Sequence, residues 1–314
     1  KVIGNKCPFG NATQQRNDWV NIRGNDSRFE NNEMFGKNGI GNMILAGSGS
    51  TIVKGVKILN NHLHHQSGGV SSASCEMIRL GSSEVAAQEF GTEIAGNLIE
   101  DYTAADTELI TVKSSKNDIH DNVFRNNKAS PTFRHGRLNK FRRNFSFGSG
   151  LRIYGRGHEV TENQFVRNSL SQLRQVVIGN AKYAEEEQNT DASYTQVRDL
   201  LFHHNIIAGE DSSQDILFCW GYGSYSLKPI NNQVIENIIM GDTGTLAQTK
   251  DGATWSNNLV KDNISWGDAN LGNMPARVTD PMLIKKADGS YGFKLPPIYW
   301  PQTARVLTPA DVGV

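Results

Sequence analysis

One short pattern recurs along the chain and limits what it can fold into. An apolar or β-branched residue leads to Asn, and two residues on comes another apolar residue. The pattern is found in VKILNNHLHHQ, EIAGNLIEDY, NDIHDNVFRNN, NKFRRNFSFGS, HEVTENQFVRN, DLLFHHNIIAG, NQVIENIIMGD and NLVKDNISWGD. The asparagines are Asn61, Asn97, Asn122, Asn144, Asn163, Asn205, Asn237 and Asn263, separated by 36, 25, 22, 19, 42, 32 and 26 residues. A solenoid of strands needs roughly 20 to 30 residues per coil, so most gaps equal one turn and the two longest carry an inserted loop. Each segment alternates apolar and polar residues over a few positions between Gly, Asn, Asp or Ser, which marks strands, and amphipathic helical periodicity is almost absent. The expected fold is all-β, a single-domain right-handed parallel β-helix. Asn tolerates the left-handed backbone of a tight corner, and stacked amides can bond from coil to coil, so the repeated asparagines read as structural. Propeller blade motifs and Asn-Gly hairpin turns, which other all-β architectures would show, are weak. The helix is expected over residues 1–275. The proline-bearing stretch 276–314, with DPMLIKKADGSYGFKLPPIYWP, reads as an irregular cap over the last coil.

Composition excludes several classes. Lys and Arg (32) balance Asp and Glu (32), and 37% of residues are hydrophobic, which suits a globular chain rather than a disordered one. No apolar run reaches membrane-spanning length, and no membrane partner is expected. The opening KVIGNKCPFGNATQQRNDW has no apolar leader core and does not start with Met, so the chain reads as processed, trimmed or incomplete. Cys7, Cys75 and Cys219 have no metal-ligand spacing and read as isolated thiols. Charge is unevenly spread. Between Lys113 and His158 there are eleven Lys and Arg against Asp118 and Asp121, a net of +9. Coils stacked about 4.8 Å apart should gather this run into a basic patch on one face, suited to a polyanion. Without aromatic interleaving or a known nucleic-acid motif, nucleic acid is not the expected partner.

Within that stretch the sequence from Asp106 to Phe165 resembles the core of polysaccharide lyase family 6, which holds alginate lyases and chondroitinase B. The likeness is carried by the acidic pair Asp106 and Glu108 followed by Lys-Ser-Ser at Lys113–Ser115, then Arg-His-Gly at Arg134–Gly136. It continues in Arg-Ile-Tyr-Gly at Arg152–Gly155 with His158 beyond, and upstream in EMIRLGSS from Glu76 and DWVNIRGNDSRFENNEMFGK from Asp18. It extends over roughly residues 5–290, and the N-terminal coils usual in the family look shortened or missing. The resemblance implies a parallel β-helix that cleaves a uronate polysaccharide, most often alginate, by β-elimination, with a glycosaminoglycan such as chondroitin or dermatan as the alternative. It also implies secretion or a periplasmic location. Oligomeric state is left open.

Such a reaction must neutralise the uronate carboxylate, remove the C5 proton and protonate the departing O4. The family commonly neutralises with Ca²⁺, and the matching residues are Glu76, Asp106 and Glu108, whose oxygens suit a hard cation. Asp106 is one methylene shorter than the usual Glu, and a calcium-independent variant relying on basic side chains is the alternative. Lys113 resembles the family base, and a neighbouring cation or burial would bring its amine toward neutrality. Arg134, 21 residues on, would project from the equivalent position of the next strand. It resembles the family's acid, although a guanidinium is better suited to stabilising the leaving oxygen; Tyr154, His135 or water could supply the proton. Arg152 is expected to grip a substrate carboxylate, and His158 to line the same groove. The polar stretch 181–193 is expected to be a loop, and Trp220 and Tyr222 to stack on sugar rings. Two other classes fit less well: a glycoside hydrolase using Asp106 and Glu108 as its acid pair, and a non-catalytic polysaccharide-binding β-helix.

Overall fold

In the computed structural model, residues 2–3, 17–69, 74–167, 175–189, 192–209, 216–220, 225–241, 247–249, 257–267, 276–294 and 305–313 are described. They form a parallel β-helix. Three sheets of eleven, nine and nine strands run the length of the molecule. One coil shows the plan. Glu108–Lys113, Asp118–His120 and Val123–Arg125 lie on three different sheets. Each pairs in parallel with the equivalent strand of the next coil: Ser130–His135, Lys140–Arg142 and Phe145–Phe147. Alternation sends every second side chain inward, where Phe124, Phe141 and Phe165, drawn from two of the sheets, stack ring on ring at 5.9 and 6.1 Å. No helix among the described residues is long and apolar enough to cross a membrane.

The recurrent asparagines form one continuous buried ladder. From Asn32 through Asn61, Asn97, Asn122, Asn144, Asn163, Asn205 and Asn237 to Asn263, each backbone N–H donates to the next asparagine's Oδ1 at 2.9–3.0 Å. The left-handed residue is not the ladder Asn itself but the one before it: Asn60, Gly96, Asp121, Arg143, Glu162, His204, Glu236 and Asp262 all have φ between 52° and 65°. A non-glycine residue there costs about 1 kcal/mol, and the amide bonds made one residue later offset it. A second ladder runs from Thr92 through Asn117 and Asn139, and its next member is His158, whose Nδ1 accepts the Asn139 N–H at 3.0 Å.

The basic run does not form a single patch. A coil carries successive residues around all three faces, so Lys113, Arg134 and Arg152 share one sheet while Lys140 and Arg142 lie on another and Arg125 on the third. Most of the remainder is neutralised by carboxylates of adjacent coils. Arg142 pairs with Asp118, Arg143 with Asp121, Lys140 with Glu159, Lys116 with Glu89 and Arg137 with Glu187.

The C-terminal segment departs from a cap. Arg277–Val278 adds a strand to the eleven-stranded sheet. The antiparallel hairpin Leu283–Lys285 and Tyr291–Phe293 docks on the same sheet through Gln164, whose amide bonds both backbone groups of Tyr291 at 2.7 and 2.8 Å. Val306 packs with Leu98, Val123, Phe145, Phe147 and Val166, and the Gly313 N–H reaches the Asn60 carbonyl at 2.9 Å. The segment thus runs back along the side of the helix, because these outward apolar residues need cover.

Candidate active site

Four strands of one sheet build the site: β1 (Ile78–Gly81), β2 (Glu108–Lys113), β3 (Ser130–His135) and β4 (Leu151–Ile153). The register sets Arg79, Thr111, Thr132 and Arg152 in one row across them. Lys113 is opposite Gly81 and His135, not Arg134. Between the pairs Val112–Phe133 and Lys113–His135, β3 has one residue more than β2, and that bulged residue is Arg134. A bulge re-aims a side chain. Here it lets Phe133 stay in the core while the Arg134 guanidinium reaches back to Glu108. Gly81 is required where β1 passes β2, since a Cβ there would sit 2.9 Å from the Lys113 carbonyl oxygen.

Glu108 organises the cations. Its Oε1 accepts from Arg134 Nη1 at 2.9 Å and lies 3.7 Å from Arg152 Nη1, while its Oε2 accepts from Thr111 at 2.8 Å. Burial acts to raise the carboxyl, but Arg134, Arg152 and Lys113 outweigh it and hold it at about 2. Arg134 is held above its ordinary value: burial alone would lower it, and Glu108 and the Tyr194 side chain more than compensate. Such a guanidinium keeps its proton near neutral pH and stands beside Lys113 as a fixed positive charge.

Lys113 is not the solvent-facing lysine its place on a strand suggests, for only 8% of it is exposed. Burial, then the charges of Arg79 and Arg134, lower its amine from 10.5 to about 8, against the opposing pull of Glu108 and Glu76. Arg79, absent from the residues picked out by sequence, is held by the Gly81 carbonyl at 3.1 Å and Ser74 Oγ at 2.7 Å. Its place within EMIRLGSS was the only available signal.

Glu76 and Asp106 stand at the entry to β1 and β2. Glu76 Oε2 is buried with no hydrogen-bond partner. The Asp106 carboxyl is pushed up to about 6 by burial and by the charges of Glu76 and Glu108. A buried unpaired carboxylate oxygen beside a destabilised carboxylate is the character of a cation site, and the donors suit Ca²⁺. The three carboxylates are not drawn together within 4.8 Å, and Glu108 is committed to the arginines.

Several expected groove residues are buried. Tyr154 lies face to face under Tyr194, ring centroids 3.8 Å apart, with its ring 5.9 Å from the Arg152 guanidinium. His135 is fully buried beneath the segment around Glu186, with Glu186 Oε2 at 3.4 Å and Ser83 Oγ at 3.3 Å. His158 does not line the groove. It is the ladder member described above, and its Nε2 lies 2.9 Å from the Tyr154 carbonyl, so it is neutral, pushed down to about 4 by burial. Trp220 has its strand but not its side chain described, and Tyr222 lies outside the described residues. Sequence reading missed Tyr194, whose hydroxyl accepts from Arg152 Nη2 at 2.9 Å and whose ring faces both Arg134 and Arg152, at 5.3 and 5.8 Å. It arrives from the end of the expected loop, where Glu186 forms a short 3₁₀ turn and accepts the Gly136 N–H at 2.8 Å. Nothing local marks it.

A buried lysine, two arginines clamped by Glu108 on one sheet of a parallel β-helix, and two carboxylates at the entry to its strands now stand beside a family match. The chondroitinase B family model fits residues 7–270. The chain belongs to that family, within polysaccharide lyase family 6. Solved structures of family 6 lyases share its fold. A mannuronic acid specific lyase from human gut microbiota superposes with a TM-score of 0.72 at 20% identity, covering 83% of this chain and 59% of that one. The alginate lyase AlyGC gives 0.76 at 22%, covering 96% and 42%. The lyase Pedsa3628 from Pseudopedobacter saltans gives 0.64 at 17%, covering 94% and 72%. The chain therefore spans about half the length of the first two. No curated protein sequence matches it significantly.

Proposed function

We propose that this chain cleaves a uronate-containing polysaccharide, alginate first among them, by β-elimination. The observation that supports this best is the buried Lys113 amine, lowered to about 8 beside a permanently charged Arg134. The free amine takes the C5 proton; the C5–H electrons form the C4–C5 double bond, the C4–O4 bond breaks, and O4 leaves with a proton from the solvent or the Tyr194 hydroxyl. Arg134 and Arg152 oppose the negative charge that builds on the carboxylate and on O4. Glu108 keeps both guanidinium groups aimed and charged. With Glu108 held by the arginines, Glu76 and Asp106 are the carboxylates that would hold Ca²⁺, which when bound adds positive charge against the uronate carboxylate. A lyase for an extracellular polysaccharide is expected in the periplasm or outside the cell.

Dermatan or chondroitin is the second reading, favoured by the description of the matching family. The test is a panel of alginate, polymannuronate, polyguluronate, dermatan and chondroitin, followed by the ultraviolet absorbance of the new C4–C5 double bond. Product from an alginate but not a glycosaminoglycan supports the first reading, and the reverse supports the second. Reducing ends without absorbance would mean a hydrolase. A Lys113→Ala variant that folds and still turns over would remove the lysine from the mechanism.

A further inference from the structure

On the eleven-stranded sheet, away from the groove strands, two histidines and a glutamate converge. Alternation along His62–His64 sends Leu63 into the core and leaves both imidazoles on the outer face. Glu33 is the register partner of His62 on the preceding coil. One ligand atom from each of Glu33, His62 and His64 lies within 4.8 Å of the other two, the only such group of three among the described residues. His64 Nε2 is buried, 3.5 Å from Glu33 Oε1, and makes no hydrogen bond. The rings of His62 and His64 stack at 4.0 Å, with Phe35 on the far side of His64 at 5.0 Å, so neither imidazole is loosely held. Glu100 adds a second carboxylate, 2.8 Å from His62 Nε2.

The protonation pattern also suits a cation. His64 Nδ1 is 2.6 Å from His65 Nδ1, and with its proton donated there, His64 presents a lone pair at Nε2.

We propose that Glu33, His62 and His64 form a binding site for a zinc-class divalent ion. Two imidazoles with one carboxylate suit Zn²⁺ or Co²⁺ and select against Ca²⁺, whose oxygen-rich needs match the groove carboxylates instead. The site is structural: the C-terminal segment crosses it, since a Cβ on Gly313 would lie 3.7 and 3.8 Å from the Cβ atoms of His62 and Glu33. The ion would tie the coil of Glu33 to the coil of His62 and His64 beneath that segment.

The test uses the untagged full chain, stripped with chelator and dialysed against Zn²⁺ alone, with bound metal counted per chain and Co²⁺ absorption recorded. One ion per chain is expected, with affinity falling at least roughly tenfold in His64→Gln and His62→Gln and unchanged in His204→Gln and Asp106→Asn. No bound zinc in the wild-type chain overturns the site, as does undiminished binding in folded His62→Gln and His64→Gln variants. Loss of zinc in Asp106→Asn instead would assign the ion to the groove, and equally overturn it. Should the histidine variants fail to fold, Glu33→Gln decides: wild-type affinity there overturns the proposal, and weakened affinity supports it.

Discussion

The Lys113 amine is tuned by its neighbours, so replacing a neighbour should move the pH profile rather than abolish the reaction. Lowering the amine from 10.5 to about 8 leaves ~300-fold more free base at pH 7. Arg79 is the charged group that lowers it most. Two cations roughly 8 Å apart repel by about 2 kcal/mol at an effective dielectric of about 20, somewhat over one pK unit. Arg79→Gln should therefore carry the rising limb of kcat upward by about one unit. Turnover at pH 7 should drop ~10-fold and recover toward the wild-type plateau in more alkaline buffer. The assay is ultraviolet product formation at saturating substrate across the pH range, with circular dichroism to confirm folding. An unmoved limb would refute the electrostatic account, and a loss of equal size at every pH would make Arg79 a substrate contact instead.

Lys113→Met should abolish turnover yet stabilise the fold at pH 7 by up to ~3 kcal/mol, because the folded chain buries an ammonium that the unfolded chain leaves solvated. The sign follows: between about 8 and 10.5 the unfolded state binds the extra proton, so wild-type stability rises with pH there and the variant's does not. Asp106, held at about 6, works the other way. Calcium-free stability should fall as pH rises from 3.8 to 6 and be restored by Ca²⁺ or by Asp106→Asn, and thermal melts with and without chelator would expose a purely structural acidic cluster by showing no calcium effect. Asn122→Ala strips a ladder rung and leaves the buried Asn97 N–H without its acceptor; it should lose about 1–3 kcal/mol in denaturant titration. Tyr194→Phe should lower kcat more than KM if its hydroxyl supplies the O4 proton, and a change in KM alone would confine it to binding.

The coil repeat was legible because its cause is local. A left-handed corner followed by a ladder Asn needs only two adjacent residues, and the apolar residue after it marks the strand that follows. The Lys113, Arg134 and Arg152 set was legible through the resemblance of its motifs to a known family, and their strands do fall next to one another on one sheet. What the sequence could not convey depends on contacts between distant segments. His135, Tyr154 and His158 sit beside the motif residues in sequence, yet the coil or the 181–194 segment buries them, and that same segment delivers Tyr194 to Arg152 from 42 residues away. The basic run looked like one patch, but a chain that turns three times per coil distributes neighbours over three faces and meets carboxylates from other coils. The amine of Lys113 is a base near neutral pH only because tertiary packing removes its water and seats two guanidinium groups beside it, and neither burial nor field is a property of the residue or its neighbours in sequence.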